Sequence, residues 1–282
     1  MELVLAEKPL LDDSLTLAES GISEDVVVLA VVSKRTAECL RMQDAPFDLS
    51  DPDRLILLNV PDGATLIPSA AFMSPQSVAG VTIPKSVTGI GDRAFAWCPS
   101  LISLTIPDSV ITIGHSAFRE CSSLTSLTIP KSVELIGNSS FSGCSSLNSL
   151  NIPESVREIG DRSFAGCSSL TSLSIPASIG EIRDSSFEGC RSLTSLTIPG
   201  SVTRIGHRAF EGCRELKSLV IPDSVLEVGR EAFSGCSSLT ELVIPPSVSL
   251  EMSFRGRPTS CQVTQVLQSE TSGGWACACL WT

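Results

Sequence analysis

The stretch Leu124-Thr-Ser-Leu127-Thr-Ile129-Pro130-Lys-Ser-Val133-Glu-Leu-Ile136-Gly137-Asn-Ser-Ser-Phe141-Ser-Gly-Cys144-Ser-Ser146 is one unit of a pattern that repeats without insertion or deletion. Ile-Pro returns at Pro84, Pro107, Pro130, Pro153, Pro176, Pro199, Pro222 and Pro245, each 23 residues after the last. Phe95, Phe118, Phe141, Phe164, Phe187, Phe210 and Phe233 keep the same step. So do Cys98, Cys121, Cys144, Cys167, Cys190, Cys213 and Cys236. A fixed period of this length predicts a solenoid, in which each unit is one coil stacked on the next.

Within the unit, Leu127 and Ile129 alternate with Ser126 and Thr128. That period of two predicts a strand with one buried face. Pro130 has no N–H for a ladder and ends the strand. Val133 and Ile136 form a shorter apolar pair before Gly137, which suits a bend of positive φ. Phe141 and Cys144 lie three apart, the spacing of one inward-facing helical or 3₁₀ turn. A single unit exposes both of its open faces, so stability has to come from stacking, with the strands forming a parallel sheet at about 4.8 Å per rung.

The pattern Leu-x-x-Leu-x-Ile-Pro-x-x-Val-x-x-Ile-Gly-x-x-Ala/Ser-Phe-x-x-Cys resembles the BspA-type leucine-rich repeat, seven times in phase over about two thirds of the chain. The resemblance implies a right-handed leucine-rich solenoid, mostly β, used for binding or adhesion. Many members of that family are surface proteins of bacteria and protists. Four departures stand out. Arg183 replaces the glycine, Gly180 replaces a longer side chain after Ile179, and Trp97 and Glu120 replace the glycine before the cysteine. Arg183 puts the bend of its own coil in question.

The chain has 282 residues, enough for a large core, and a formal net charge of −11. Much of that charge is N-terminal: residues 1–54 hold five Lys/Arg against twelve Asp/Glu, which gives −7. This argues against nucleic acid and against an anionic membrane as partners. Aromatic content is only 5% and there is no Tyr, as expected of a coil with room for one Phe per turn. No apolar run approaches the length of a transmembrane helix. Met1-Glu2 opens the sequence without a basic start or cleavage site, so a cytoplasmic protein is expected. Cell-surface or secreted placement is the alternative if an upstream signal precedes Met1.

Outside the repeats the pattern fades. Residues 1–35, with Leu3–Leu5 and Val26–Val32 as strands, resemble the second half of a ubiquitin-like β-grasp domain. Such a half could not close its own core, so this segment either lacks an upstream part or docks on the solenoid. Residues 36–54 form a junction with a short helix over Thr36–Gln43. The solenoid spans 55–260. A worn coil over 61–83 has Pro75 in place of Cys, and a closing cap over 246–260 has Phe254 out of step. Residues 261–282 are expected to be a disordered tail.

Candidate sites divide into columns and motifs. The seven repeat cysteines would stack with Cβ atoms about 4.8 Å apart, beyond disulfide reach, and a straight ladder cannot make a tetrahedral metal site. They are expected to be buried free thiols acting as a structural ladder, which suits a reducing compartment. Gly89-Ile-Gly91-Asp-Arg-Ala94 fits a dinucleotide fingerprint, but no crossover helix with a distal acid follows it. His115 and His207 share a column four coils apart, roughly 19 Å, too far to cooperate. Asn138-Ser139-Ser140 is an N-glycosylation sequon, and Cys279-Leu280-Trp281-Thr282, with Cys277 nearby, outlines a prenylation site with poor residues at its last two places. No catalytic, cofactor or metal constellation is expected.

The outward strand positions are the surface of most interest: Ser103 and Thr105, Ser126 and Thr128, Ser149 and Asn151, Ser172 and Ser174, Ser195 and Thr197. They are small, polar and uncharged. The sequence therefore points to a non-enzymatic, monomeric scaffold that binds a protein through this face or through neighbouring loop columns. One such column is Asp108, Lys131, Glu154, Ala177, Gly200 and Asp223. Another is Asp92, His115, Asn138, Asp161, Asp184, His207 and Arg230. The alternative is a surface structural or adhesin-like protein. Weaker readings are an ice- or glycan-contacting Ser/Thr array and, weakest, an enzyme with its site outside the repeats.

Overall fold

The computed structural model describes residues 27–30, 56–60, 62–248, 261–267 and 276–279. Each coil opens with a strand such as Ser126–Thr128. The next strand, Ser149–Asn151, lies parallel over it in register: Ser149 over Ser126, Leu150 over Leu127, Asn151 over Thr128. Leu127 is buried, and Ser126 and Thr128 are exposed, as the period of two requires. After Pro130 the chain turns, with Val133 N–H donating to the Pro130 carbonyl at 3.1 Å.

A second strand follows, only two residues long. Leu135–Ile136 pairs in parallel with Thr112–Ile113 of the coil before. The solenoid therefore has two β walls where the sequence predicts one. A pair of apolar residues is too short to distinguish from a turn by periodicity.

The third side carries the Phe and Cys columns. Among the described residues it contains no helix, although the spacing predicts a helical or 3₁₀ turn. Ser140, Ser142 and Cys144 do donate three residues back within their own coil, to Gly137, Ser139 and Phe141. The N–H groups between them leave the coil instead. Ser139, Phe141 and Gly143 donate to the carbonyls of Asp161, Ser163 and Ala165 in the next coil, each at 2.8 Å. A helix keeps its donors pointing along one axis, and this backbone alternates them between its own turn and its neighbour.

That alternation moves the positive φ away from Gly137. Ser139 takes φ 55 and Gly143 takes φ 79. The Ser139 column holds Ala70, Arg93, Ser116, Arg162, Ser185, Arg208 and Glu231, all between φ 53 and 60. Each costs about 1–2 kcal/mol as an L-residue, offset from Ala70 to Arg208 by the bond its N–H makes to the next coil. Gly137 is needed for closeness rather than for φ. A Cβ there would lie 2.7 Å from the carbonyl carbon of Gly114 and 2.8 Å from the nitrogen of His115.

The core is a column of rings. Phe72 to Phe233 stack one per coil with centroids 5.2–5.5 Å apart and planes within 10° of parallel. Offset stacks of this kind add about 0.5–1.5 kcal/mol per pair to the area they bury. Leu101, Val110 and Ile113, with their copies in other coils, close the core from the two walls.

The walls are not continuous. The first breaks between Asn151 and Ser172 and again between Thr197 and Ser218, and the second breaks between Ile159 and Glu181. Leu150 and Leu196, on the strands that precede the two breaks in the first wall, are only partly buried where their counterparts are buried.

At the ends, Val27–Ala30 pairs in parallel with Ile56–Asn59 and extends the solenoid's own sheet. The remainder of the segment likened to half a β-grasp, the Thr36–Gln43 helix and the cap over 249–260 lie outside the described residues. The worn first coil takes its place in the stack, with Phe72 against Phe95. The tail, expected to be disordered, supplies two strands. Gln262–Leu267 adds parallel to Glu241–Ile244, and Ala276–Cys279 turns antiparallel to it. Its Val263, Thr264 and Val266 are β-branched residues that favour a strand.

Gly137→Ala is expected to lower stability by about 1–3 kcal/mol, since the added methyl group meets backbone that cannot move aside. Gly180→Ala, whose added carbon meets nothing within 4 Å, should leave stability unchanged or slightly raised. Urea unfolding followed by circular dichroism compares the two.

A candidate protein-binding face

The ten outward positions of the first wall are all exposed: Ser103, Thr105, Ser126, Thr128, Ser149, Asn151, Ser172, Ser174, Ser195 and Thr197. The pleat puts them on one plane, two per strand. Among the described residues none of their side chains makes a hydrogen bond within the chain. Hydroxyls elsewhere behave differently. Thr88, Thr171, Thr194, Thr203 and Thr240 donate to carbonyls of the coil before. Ser109, Ser132, Ser178, Ser201, Ser224 and Ser247 donate likewise, at 2.6–2.8 Å. The first-wall face is thus a row of donors and acceptors that the fold leaves unused.

The second wall presents a different surface. Its outer side carries ion pairs between coils, Glu158 with Arg183 at 3.1 Å and Arg204 with both Glu181 and Glu227. These are solvent-exposed and add little stability, but their charges already face one another. A depression of about 460 Å³ lies beside them, lined by Glu134, Glu154, Ser155, Arg157 and Ser178.

The loop column that begins at Asp92 has a structural duty that its apparent variety conceals. Asp92 Oδ1 accepts the His115 N–H at 2.8 Å, His115 Nδ1 accepts the Asn138 N–H at 3.0 Å, and Asn138 Oδ1 accepts the Asp161 N–H at 2.9 Å. Asp184 and His207 do the same for His207 and Arg230. Accepting at Nδ1 requires each imidazole to carry its proton on Nε2. A signal for this was present in the sequence: Asp, Asn and His share an acceptor two bonds beyond Cβ, and five of the seven residues use it.

The cysteines stand in one buried column and are free thiols. Each donates to the Phe carbonyl 26 residues earlier, as Cys121 does to Phe95 at 3.1 Å and Cys144 to Phe118 at 3.3 Å. Burial pushes Cys144, Cys167 and Cys213 well above the ordinary thiol range, and Cys190 and Cys236 up to about 12. Inside the core they are weak nucleophiles. Among the described residues no group of three or more His, Cys, Asp or Glu gathers to hold a metal ion. The Gly89–Ala94 fingerprint lies on a wall strand and the turn after it, where Gly91 packs against the backbone of Ile67 and Ser69. Asn138 is exposed and the sequon's Ser140 is buried. Cys277 and Cys279 lie in the last strand, paired with Val266 and Thr264.

The geometry defines a leucine-rich-repeat solenoid. The chain belongs to the BspA type leucine rich repeat family, whose six repeat copies match residues 53–171 and 157–255. Among solved structures, a leucine-rich repeat protein from Bacteroides ovatus is 29% identical, with a TM-score of 0.64 over 71% of this chain and 51% of its own. The leucine-rich repeat protein of T. pallidum is 28% identical, with a TM-score of 0.55 over 76% of this chain and 83% of its own. The chain thus spans about half the length of the B. ovatus protein. A search of curated proteins found no match. Among the described residues, no helix is long and apolar enough to cross a membrane.

Two outcomes are expected. In the folded protein the repeat thiols should resist iodoacetamide at pH 8 and react only on unfolding, as mass spectrometry of the alkylated peptides would register. Because the folded pKa values of Cys190 and Cys236 lie above the ordinary value of 9.0, the stability these two contribute is full below pH 9 and is lost as pH rises toward about 12. Urea midpoints measured from pH 8 to 11 should fall accordingly, and less steeply in Cys190→Ala.

Ser163 is fully buried and its hydroxyl has no partner. Ser163→Ala, which restores the alanine found at Ala117 and Ala209, should therefore leave the melting temperature unchanged or raise it. Differential scanning calorimetry tests this.

Proposed function

We propose that this chain is a non-enzymatic, monomeric scaffold that binds a protein through the first-wall face. The observation that carries the reading is the contrast between columns. Most hydroxyls of the Ser109 column, and several threonines, donate to the coil before, whereas the ten residues on this face are exposed and unengaged. Short side chains lose little rotamer freedom when a partner settles on them, so a flat row of them favours a protein surface or an extended peptide. Membership of the family and likeness to other leucine-rich repeat proteins agree with a scaffold.

An ordered lattice is a poorer fit for this face. The strand ladder is interrupted after Asn151 and after Thr197, so the array does not keep one strict spacing. The reading of a surface structural protein has one observation in its favour, the exposed Asn138. Its Oδ1 is held by Asp161, which leaves Nδ2 to carry a glycan. The thiols do not decide the compartment, because burial would protect them in a reducing or an oxidising one. Recovery of a glycopeptide containing Asn138 would favour the surface; its absence from secreted material would favour the cytoplasmic scaffold.

The double variant Thr128→Arg and Ser172→Arg sets two long charged side chains on the face without touching the core. It should keep the circular dichroism spectrum and lose the protein that the parent chain enriches from an extract of its own cells. Equal capture by both chains would move the site to the loop columns and overturn the reading.

A further inference from the structure

Among the described residues, one rung differs from every other in the array. Between the coil of Ile159 and the coil of Ile182, both β walls lose their pairing. The break in the first wall after Thr197 has no such companion, since Glu181–Ile182, Arg204–Ile205 and Glu227–Val228 remain paired across it.

The backbone bonds that flank the second wall fail at the same rung. Thr88, Ile111, Glu134 and Arg157 each donate to the same column one coil back, at 2.8–2.9 Å, and Thr203 and Leu226 resume the series at 2.9 Å. Among the described bonds there is none from Gly180 to Arg157. Gly91, Gly114, Gly137 and Gly160 donate to the isoleucine carbonyl beneath them at 2.8–2.9 Å, and Gly206 and Gly229 do so at 2.7 Å. Again there is none from Arg183 to Ile159. Asp92 and Asp184 accept the N–H of the residue above them, and among the described bonds there is none from the Asp184 N–H to the Asp161 carboxylate. On the first wall, the Thr171 N–H reaches the Asn148 carbonyl only at 3.5 Å.

The third side is intact across this rung. Arg162, Phe164 and Gly166 donate to Asp184, Ser186 and Glu188 at 2.9, 2.9 and 2.7 Å. Phe164 and Phe187 remain stacked, with planes 4° apart.

The cause lies in the sequence. The glycine column brings backbone against backbone. One coil above Arg183, a Cβ on Gly206 would lie 2.6 Å from the nitrogen of Asp184 and 2.7 Å from the carbonyl carbon of Arg183. Arg183 carries a Cβ in that column, so its coil cannot settle at the same distance on Gly160. Beside the second wall the gap is spanned by side chains: the Glu158–Arg183 ion pair, with both partners about two-fifths exposed, a contact of small energy that can break and re-form in solvent, and Ser178, which donates from Oγ to the Val156 carbonyl at 2.6 Å and from its N–H to Glu154 Oε2 at 3.3 Å.

We propose that this rung is a built-in hinge. The described coils form two blocks, up to residue 169 and from 170 to 248, that flex about the Phe side while the two β walls open and close. In a repeat array, stability is a sum of units and nearest-neighbour interfaces, so one weak interface also lets the two blocks unfold separately.

The test is hydrogen exchange with peptide resolution during urea titration of the full chain, for the parent protein and for Arg183→Gly. In the parent, peptides from 84–160 and from 184–245 should lose protection at two separate midpoints. In Arg183→Gly, which restores the glycine and lets Gly180, position 183 and Asp184 make their bonds, the two midpoints should merge and the lower should rise. A single midpoint shared by both blocks in the parent would overturn the hinge. So would two midpoints that persist unchanged in Arg183→Gly.

Discussion

Backbone hydrogen bonds hold successive coils one strand spacing apart, and every column of this protein has to tolerate its own copy at that distance. A planar ring can lie on another ring, which is why Phe72 to Phe233 make one stack. A thiol is small enough to stand above a thiol and still reach a Phe carbonyl. Glycine is the residue that lets backbone lie on backbone at the Gly137 column. A short side chain with an acceptor near its end can take the N–H of the residue above it, so Asp, Asn and His interchange at Asp92, His115 and Asn138. The repeat is thus less a consensus than a set of answers to one geometric demand.

The exceptions show how that demand is met or missed. Trp97 and Glu120 stand where later coils have glycine, at φ 57 and 60; the Trp97 ring takes the Arg119 guanidinium of the next coil over it, and the Glu120 carboxylate lies in the space that a side chain on Gly143 would fill. Arg183 is different, because its Cβ lies in the plane of contact. The polar surface follows the same division. Most hydroxyls at the coil corners, Ser86 and Ser155 excepted, are absorbed into inter-coil bonding, while those on the pleat of the first wall are exposed. Position in the coil therefore separates structural serines from available ones, even though the residue is the same.

Much of this was legible in the sequence. The period gave the number and phase of the coils, and the alternation about Leu127 gave the buried and exposed faces of the first wall, including all ten outward residues. Three features escaped because they depend on partners 22 to 26 residues away. The second wall at Leu135–Ile136 is too short to carry a pattern of its own. The turn at Ser139–Cys144 has the spacing of a helix but spends alternate donors on the next coil. The acceptor column looked like loop variety because its members share an atom position rather than a residue type. Of the tail, the strand at Gln262–Leu267 carries only the β-branched bias of Val263, Thr264 and Val266, and Ala276–Cys279 takes its place from its partner.

The constancy of the step has a consequence for the length of the molecule. Since each storey meets the next through the same atoms, excising residues 170–192 joins Ser169 to Leu193 without shifting any other column. Gly206 would then come to rest on Gly160, and the Asp161 carboxylate would receive the His207 N–H. A shorter rod would result with one seam fewer, so in this architecture the removal of a whole storey is a gentler change than the side chain of Arg183 within it.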